Sequence, residues 1–109
     1  MKNQVQYALV LTTYPEETPA IQFAQQLIKQ KLAACVNISP IMTSVYEWEG
    51  KLEQGKECQL VIKTLHAKLT ALSDYIRQNH PYEVPEILEL PISGGLPAYL
   101  SWISESLKE

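Results

Sequence analysis

From Ala34 to Thr64 the chain carries one long extended segment, folded back at Glu49-Gly50-Lys51. On the outgoing arm Val36, Ile38, Met42, Tyr46 and Trp48 fall at even spacings, and Pro40 forces a bend or an edge position. The return arm, Lys51 to Thr64, ends in the apolar run Leu60-Val61-Ile62. Each arm holds about 13 residues, which at ~3.3 Å per residue reaches about 43 Å. A compact domain of 109 residues has a radius of gyration near ~13 Å and is only about 33 Å across. The ribbon must therefore bend, overhang or both. A bare two-stranded ribbon carrying Tyr46 and Trp48 is marginal in water and offers unpaired edges to other chains. The segment predicts a closed homo-oligomer in which each ribbon lies against neighbouring copies, or else a ribbon folded back over its own sheet at Pro40. Spacing does not set the copy number.

The flanking elements define the fold class. Val5 to Thr13 is a buried strand leaving the sheet at Tyr14-Pro15. Thr18-Pro19 offers an N-cap with proline at the first helical position. Ile21, Ala24, Leu27, Ile28 and Leu32 recur at helical spacing, which predicts an amphipathic helix over Thr18 to Lys31. Leu65, Leu69, Leu72 and Ile76 mark a second helix running to Asn79 and stopped by Pro81. Glu86 to Pro91 is a short strand, Ser93-Gly94-Gly95 breaks the chain, and Leu96 to Leu107 forms a closing helix with Leu96, Leu100, Ile103 and Leu107 on one stripe. The order β, α, β, β, α, β, with a final helix, is the α+β, ferredoxin-like split βαβ arrangement: a single domain over residues 1–109, with one antiparallel sheet and two helices on one face.

Composition removes several classes of function. A net charge of -3, with no cluster of Lys or Arg, speaks against nucleic acid. The longest apolar stretch near the N-terminus, Tyr7 to Leu11, is too short for a membrane span or a signal peptide, so a cytoplasmic location is expected. Two cysteines are not a disulfide framework and are expected as reduced thiols. If the turn centres on Gly50, opposed residues have numbers summing to about 100. Cys58 then faces Met42 and Cys35 faces Leu65, an offset of roughly 23 Å that forbids a bond or a shared metal within one chain.

His80-Pro81-Tyr82-Glu83-Val84-Pro85-Glu86 is the stretch densest in polar chemistry, and its two prolines make it a stiff junction with His80 extended. It reads either as a site or as a helix stop that leads into an edge strand. Cys35, Cys58, His66 and His80 are the candidate metal ligands, but none falls in a Cys-x-x-Cys or His-x-x-x-His pattern. Thiolate would suit copper(I), and imidazole copper(II) or zinc. There is no nucleophile elbow, Walker loop or dinucleotide fingerprint, and no enzyme is expected.

Further motifs carry a family resemblance. Leu11-Thr12-Thr13, Ala34-Cys35-Val36-Asn37, Tyr46-x-Trp48-x-Gly50-Lys51, Ile62-Lys63-Thr64, the His80 to Glu86 run and Tyr99-Leu100-x-Trp102 occur in this order across essentially the whole chain. Together they resemble the CutA divalent-cation tolerance proteins. The resemblance implies a ferredoxin-like subunit in a tight homotrimer, a role in tolerance of divalent metals, and binding of copper or another divalent cation. Cys35 then corresponds to the thiol implicated in metal binding, while Trp48, Glu57, Lys63, His80 and Tyr82 sit where the family lines clefts between subunits. His80, held by Pro81, is expected to face Cys35 or Glu57 across such a cleft. Cys58 departs from the family pattern. The architecture is also similar to that of PII-type signalling proteins, which leaves a second reading: a trimer that senses a small molecule or anion and regulates an unidentified protein partner.

Overall fold

The structure is a computed structural model and describes residues 6–109; the expected strand start at Val5 lies outside them. The elements are β1 (Tyr7–Tyr14), α1 (Glu17–Lys29), β2 (Cys35–Ile38), β3 (Met42–Trp48), β4 (Lys51–Leu65), α2 (Leu69–Asn79), β5 (Leu88–Ile92) and α3 (Pro97–Ser106). The strand order β2-β4-β1-β5, with β3 continuing against the outer half of β4, gives one antiparallel sheet. This is the ferredoxin-like α+β class the element order predicts.

Alternation along the strands separates the two faces of the sheet. Ala8, Val10, Thr12 and Tyr14 stand opposite Thr64, Ile62, Leu60 and Cys58, all buried, and their face is covered by α1 and α2. Leu27, Leu72 and Ile76 bring the helices onto it with no exposed surface. The odd-numbered residues point the other way. There α3 covers part of the surface: Tyr7 Oη lies 2.9 Å from Ser104 Oγ, and Lys63 Nζ donates to Tyr99 Oη at 3.2 Å.

The long ribbon is real, and Pro40 divides it. The outgoing arm is two strands rather than one, broken over Ser39–Ile41. Pair numbers sum to 98 on β2 and 99 on β3, so the break inserts one unpaired residue, a bulge. Ser39 bridges it, its N–H donating to Gln59 O at 2.9 Å and its Oγ accepting from Gln59 N–H at 2.8 Å. The expected register is thereby corrected: Cys35 faces Lys63, Met42 faces Glu57, and Cys58 faces Tyr14 of β1. Both thiols are free and five residues apart along β4, roughly 17 Å. At the tip, Glu49 (φ 51°) and Gly50 (φ 79°) both occupy the left-handed region, as a two-residue I′ turn between Trp48 and Lys51 demands. The overhang stretches the molecule to 48 × 30 × 24 Å with a radius of gyration of 15.1 Å.

Several element boundaries differ from those expected. Helix α1 opens at Glu17 with Glu16 as its N-cap residue, so Thr18 is not the cap. Pro19 falls at the third position, still in the first turn where N–H groups have no helical partner. Its buried stripe is Ala20, Phe23, Ala24 and Leu27, whereas Ile21 and Ile28 are each 41% exposed. Phe23 sets this rotation by packing on Tyr14 at 5.2 Å and on Tyr75 at 5.8 Å. The helix ends before Lys31, which turns left-handed (φ 60°) while Leu32 N–H reaches back to Leu27 O at 2.9 Å. Leu65 stays in the sheet opposite Tyr7, so α2 begins after a short 3-10 turn, His66–Lys68. Strand β5 begins two residues later than expected, at Leu88, and ends one later, at Ile92, and Leu96 caps α3 from outside, 70% exposed.

One buried group is unsatisfied. Thr12 has no exposed surface, and its Oγ1 finds no partner among the described residues, a desolvation cost of about 1–3 kcal/mol. Thr12→Val removes the hydroxyl at nearly constant shape and is expected to stabilise the protein by about 1 kcal/mol. Urea midpoints at one fixed protein concentration test this; an unchanged or lower midpoint would mean that the hydroxyl is satisfied in solution.

Candidate functional site

Residues 80–87 cross from the end of α2 to β5 as a strap, and its anchor is His80. Pro81 holds His80 extended (φ -95°, ψ 143°). The ring sits between two phenols, 4.6 Å from Tyr14 and 4.9 Å from Tyr82 between centroids. Tyr82 N–H donates to Nδ1 at 3.0 Å, which requires that nitrogen to be bare, so Nε2 carries the proton and donates to Thr13 O at 2.6 Å. Both nitrogens of a neutral imidazole are thereby engaged with backbone. His80 thus hangs the strap from the end of β1.

Beneath the strap lies an open cleft of about 630 Å³. Its floor is one face of the β3–β4 ribbon, because Glu53, Gly55 and Glu57 alternate along β4 and Tyr46 stands opposite Glu53. Trp48 and Thr13 continue the floor, and Tyr82, Val84 and Glu86 of the strap form the wall. The Tyr46 ring lies across Gly55, whose missing Cβ would stand 3.5 Å from its Oη. Glu57 Oε2 accepts from Ser44 Oγ at 2.6 Å. Lys56 also borders the cleft, but its Nζ donates to Thr43 Oγ1 at 2.8 Å, the cross-strand pair on the ribbon's other face. Burial first, and then the Glu57 charge and the Tyr46 phenol, push the Tyr82 phenol above its ordinary value. It stays protonated beside a carboxylate.

Trp48, Glu57 and Tyr82, predicted as cleft residues, meet in this one place, and His80 supports it from behind. Lys63 and Cys35 do not join them. They are cross-strand neighbours on the helix-free face, where Lys63 lies 5.5 Å over the Tyr99 ring and Tyr99 packs on Trp102 at 5.5 Å. Cys35 is half-buried there. Lys63 and Gln59 mark the levels of Cys35 and Thr13 on β4, which puts Cys35 on the order of 16 Å from Thr13 along the sheet. One chain therefore does not bring Cys35 to His80. Among the described residues no three His, Cys, Asp or Glu side chains are placed to hold one metal ion. Cys58 is fully buried, its Sγ 3.6 Å from Tyr14 O, and burial pushes its thiol up. Glu53, Gly55 and Glu86 are site residues the sequence did not single out for the cleft. The one signal for Glu53 and Gly55 is their i, i+2, i+4 spacing with Glu57; that for Glu86 is its place at the end of the polar run from His80.

Residues 8–106 match the family described as CutA1 divalent ion tolerance protein. The chain is 50% identical over 97 residues to the protein CutA homolog of Xenopus laevis, covering 89% of this chain and 64% of that one. It is 48% identical over 108 residues to the divalent-cation tolerance protein CutA of Yersinia pestis, covering 96% and 91%. The chain thus spans just under two thirds of the Xenopus relative and nearly all of the Yersinia one. The crystal structure of CutA1 from Oryza sativa superposes with a TM-score of 0.91 at 44% identity, covering 96% of both chains. A second structure, at TM-score 0.89 and 35% identity and covering 94% and 99%, is that of a CutA from Archaeoglobus fulgidus described as periplasmic. No helix among the described residues is long and apolar enough to cross a membrane.

The Tyr14 phenol, which donates to Asn79 O at 3.1 Å, is pushed up to about 12 from 10.0, chiefly by burial and secondarily by Tyr75. Folding favours the protonated phenol, so this contribution is complete below the unfolded value of 10.0 and is lost as pH rises through about 12. Tyr14→Phe keeps the ring contacts and is expected to make the alkaline fall in stability between those values shallower. Urea midpoints across that range check it, and equal slopes in both proteins would refute it.

Proposed function

Because the chain belongs to the family of CutA1 divalent ion tolerance proteins, we propose that it serves divalent-cation tolerance as a cytoplasmic homotrimer. In this reading copper or another divalent cation is held where subunits meet. Assembly is supported by the two faces of the ribbon. Near its tip Tyr46 and Trp48 are exposed on one face, and Val45 and Leu52 on the other. A twofold contact covers one face and leaves its reverse wet. A ring of three is the smallest closed assembly in which each ribbon meets two different neighbours. Leu88 and Leu90 add exposed apolar surface on the helix-free face of β5.

The observation that carries the metal reading is the position of Cys35, half-buried on the helix-free face of an edge strand, where a neighbouring copy can complete its surroundings. A thiolate there suits a soft cation. His80 of another copy is the proposed second ligand, and it enters only by exchanging the Tyr82 N–H at Nδ1 for metal. Two free thiols suit the reducing cytoplasm. The relatives' names denote tolerance and no reaction, and the role proposed is binding rather than catalysis. An anion-sensing trimer is the weaker reading, since Glu53, Glu57 and Glu86 give the cleft negative charge.

Cys35→Ser and His80→Ala are each expected to weaken copper binding about tenfold or more in competition with a chelator, with the trimer intact by sedimentation. Unchanged affinity in either variant removes that residue from the site. A folded monomer at micromolar concentration would remove the assembly.

A further inference from the structure

We propose that His80 is a latch worked by the cation it binds: Nδ1 exchanges the Tyr82 N–H for the cation and the strap comes unfastened there, while Nε2 stays bonded to Thr13 and holds the ring. The inference rests on the metal reading above and deepens it, because it assigns the ligating nitrogen and ties occupancy to the conformation of residues 80–87.

The two ring nitrogens are not equivalent. Nε2 carries the proton and donates to Thr13 O at 2.6 Å, whereas Nδ1 is bare and accepts from Tyr82 N–H at 3.0 Å. A neutral imidazole offers one in-plane lone pair to a cation, and here it lies on Nδ1. Ligation at Nε2 would cost that nitrogen its proton and the shorter of the two bonds. Ligation at Nδ1 costs only the Tyr82 bond. It also keeps an imidazole N–H donated to a backbone carbonyl, the arrangement that orients metal-binding histidines. The bond to Thr13 is therefore the positioning contact, and the bond to Tyr82 the exchangeable one.

The surroundings of the ring decide which side gives way. Upstream, Asn79 is tied twice: its carbonyl accepts from Tyr14 Oη at 3.1 Å, and its Nδ2 donates to Tyr75 O at 2.9 Å. The buried Tyr14 also backs the imidazole at 4.6 Å. Downstream, no backbone group of residues 83–86 has a hydrogen-bond partner among the described residues, so the Tyr82 N–H is the strap's fastening. Release therefore falls on the strap and leaves the end of α2 in place. The coupling is reciprocal: if occupancy breaks the Tyr82 bond, removing that bond in advance must raise affinity for the cation by the same factor.

The test is NMR of the assembled protein titrated with copper(I), which is diamagnetic. Saturation is expected to shift the His80 Nδ1 resonance with the Nε2 proton retained. Hydrogen exchange at the Tyr82 amide should quicken at least about fivefold, the worth of one net hydrogen bond. Tyr82→Pro removes the N–H and Tyr82→Ala keeps it, while both lose the ring. In competition with a chelator the proline variant should bind copper(I) about fivefold more tightly than the alanine variant. A shift at Nε2 in place of Nδ1, or unchanged Tyr82 exchange while the His80 resonances move, would overturn the latch and leave His80 a ligand. So would equal affinity of the two folded variants; if Tyr82→Pro does not fold, the resonances and the exchange rate decide. His80 resonances unmoved at saturation would sink its ligand role and the latch together.

Discussion

Strand β4 is longer than the sheet it belongs to, and the rest of the structure depends on that mismatch. Its 15 residues pair with β1 from Cys58 to Leu65 and with β3 from Lys51 to Glu57. In the inner half, the even-numbered residues Cys58, Leu60, Ile62 and Thr64 are buried in the core under α1 and α2. In the outer half β1 has ended and β3 is the partner of β4, and the same two-residue period sets Glu53, Gly55 and Glu57 on the ribbon face they share with Tyr46. The core and the cleft floor are therefore consecutive stretches of one alternation. A one-residue slip would exchange buried residues for exposed ones in both places at once. The pairing that buries Leu60 and Ile62 thus also aims the carboxylates.

The end of β1 matters for a second reason. Thr13 O, one of its last carbonyls, accepts from His80 Nε2, and Tyr14 Oη donates to Asn79 O, so the point where the ladder stops is where the strap is fastened. Pro81 and Pro85 limit the strap's conformations, and the histidine sets its distance from the ribbon. His80 thereby contributes to the cleft by position, although its own nitrogens are directed to backbone. Only Tyr82, Val84 and Glu86 of the strap reach the cleft.

The sequence was most legible where periodicity meets a steric rule. The ribbon's length, the stop at Pro81 and the extended His80 all follow from local sterics or from counting residues, and all appear as expected; the turn falls at the expected place but takes only Glu49 and Gly50, with Lys51 already paired to Trp48. The misplacements share one cause, which is that neighbours distant in sequence select among local options. Helix α1 contains two overlapping apolar stripes, and the ring stack of Phe23 with Tyr14 and Tyr75 buries the one without Ile21 and Ile28. Leu65 fits a helical stripe but has a strand partner in Tyr7. Pro40 was expected to bend the ribbon; the extra unpaired residue beside it, which shifts the cysteine register, is visible only once β4 is in place.

By itself, the sequence determined the order of elements, the excess length of the hairpin and the stiffness of the segment from His80 to Glu86, because each depends on residues close together in the chain. It also named Trp48, Glu57 and Tyr82 as companions through family resemblance. Tertiary structure alone decided that Lys63 and Cys35 lie apart from them, that Glu53 and Glu86 join them, and that His80 faces backbone. Those outcomes depend on which face of a strand each residue occupies and on where a neighbouring strand ends. Strand register sets both, and register is a relation between distant segments that no single segment encodes.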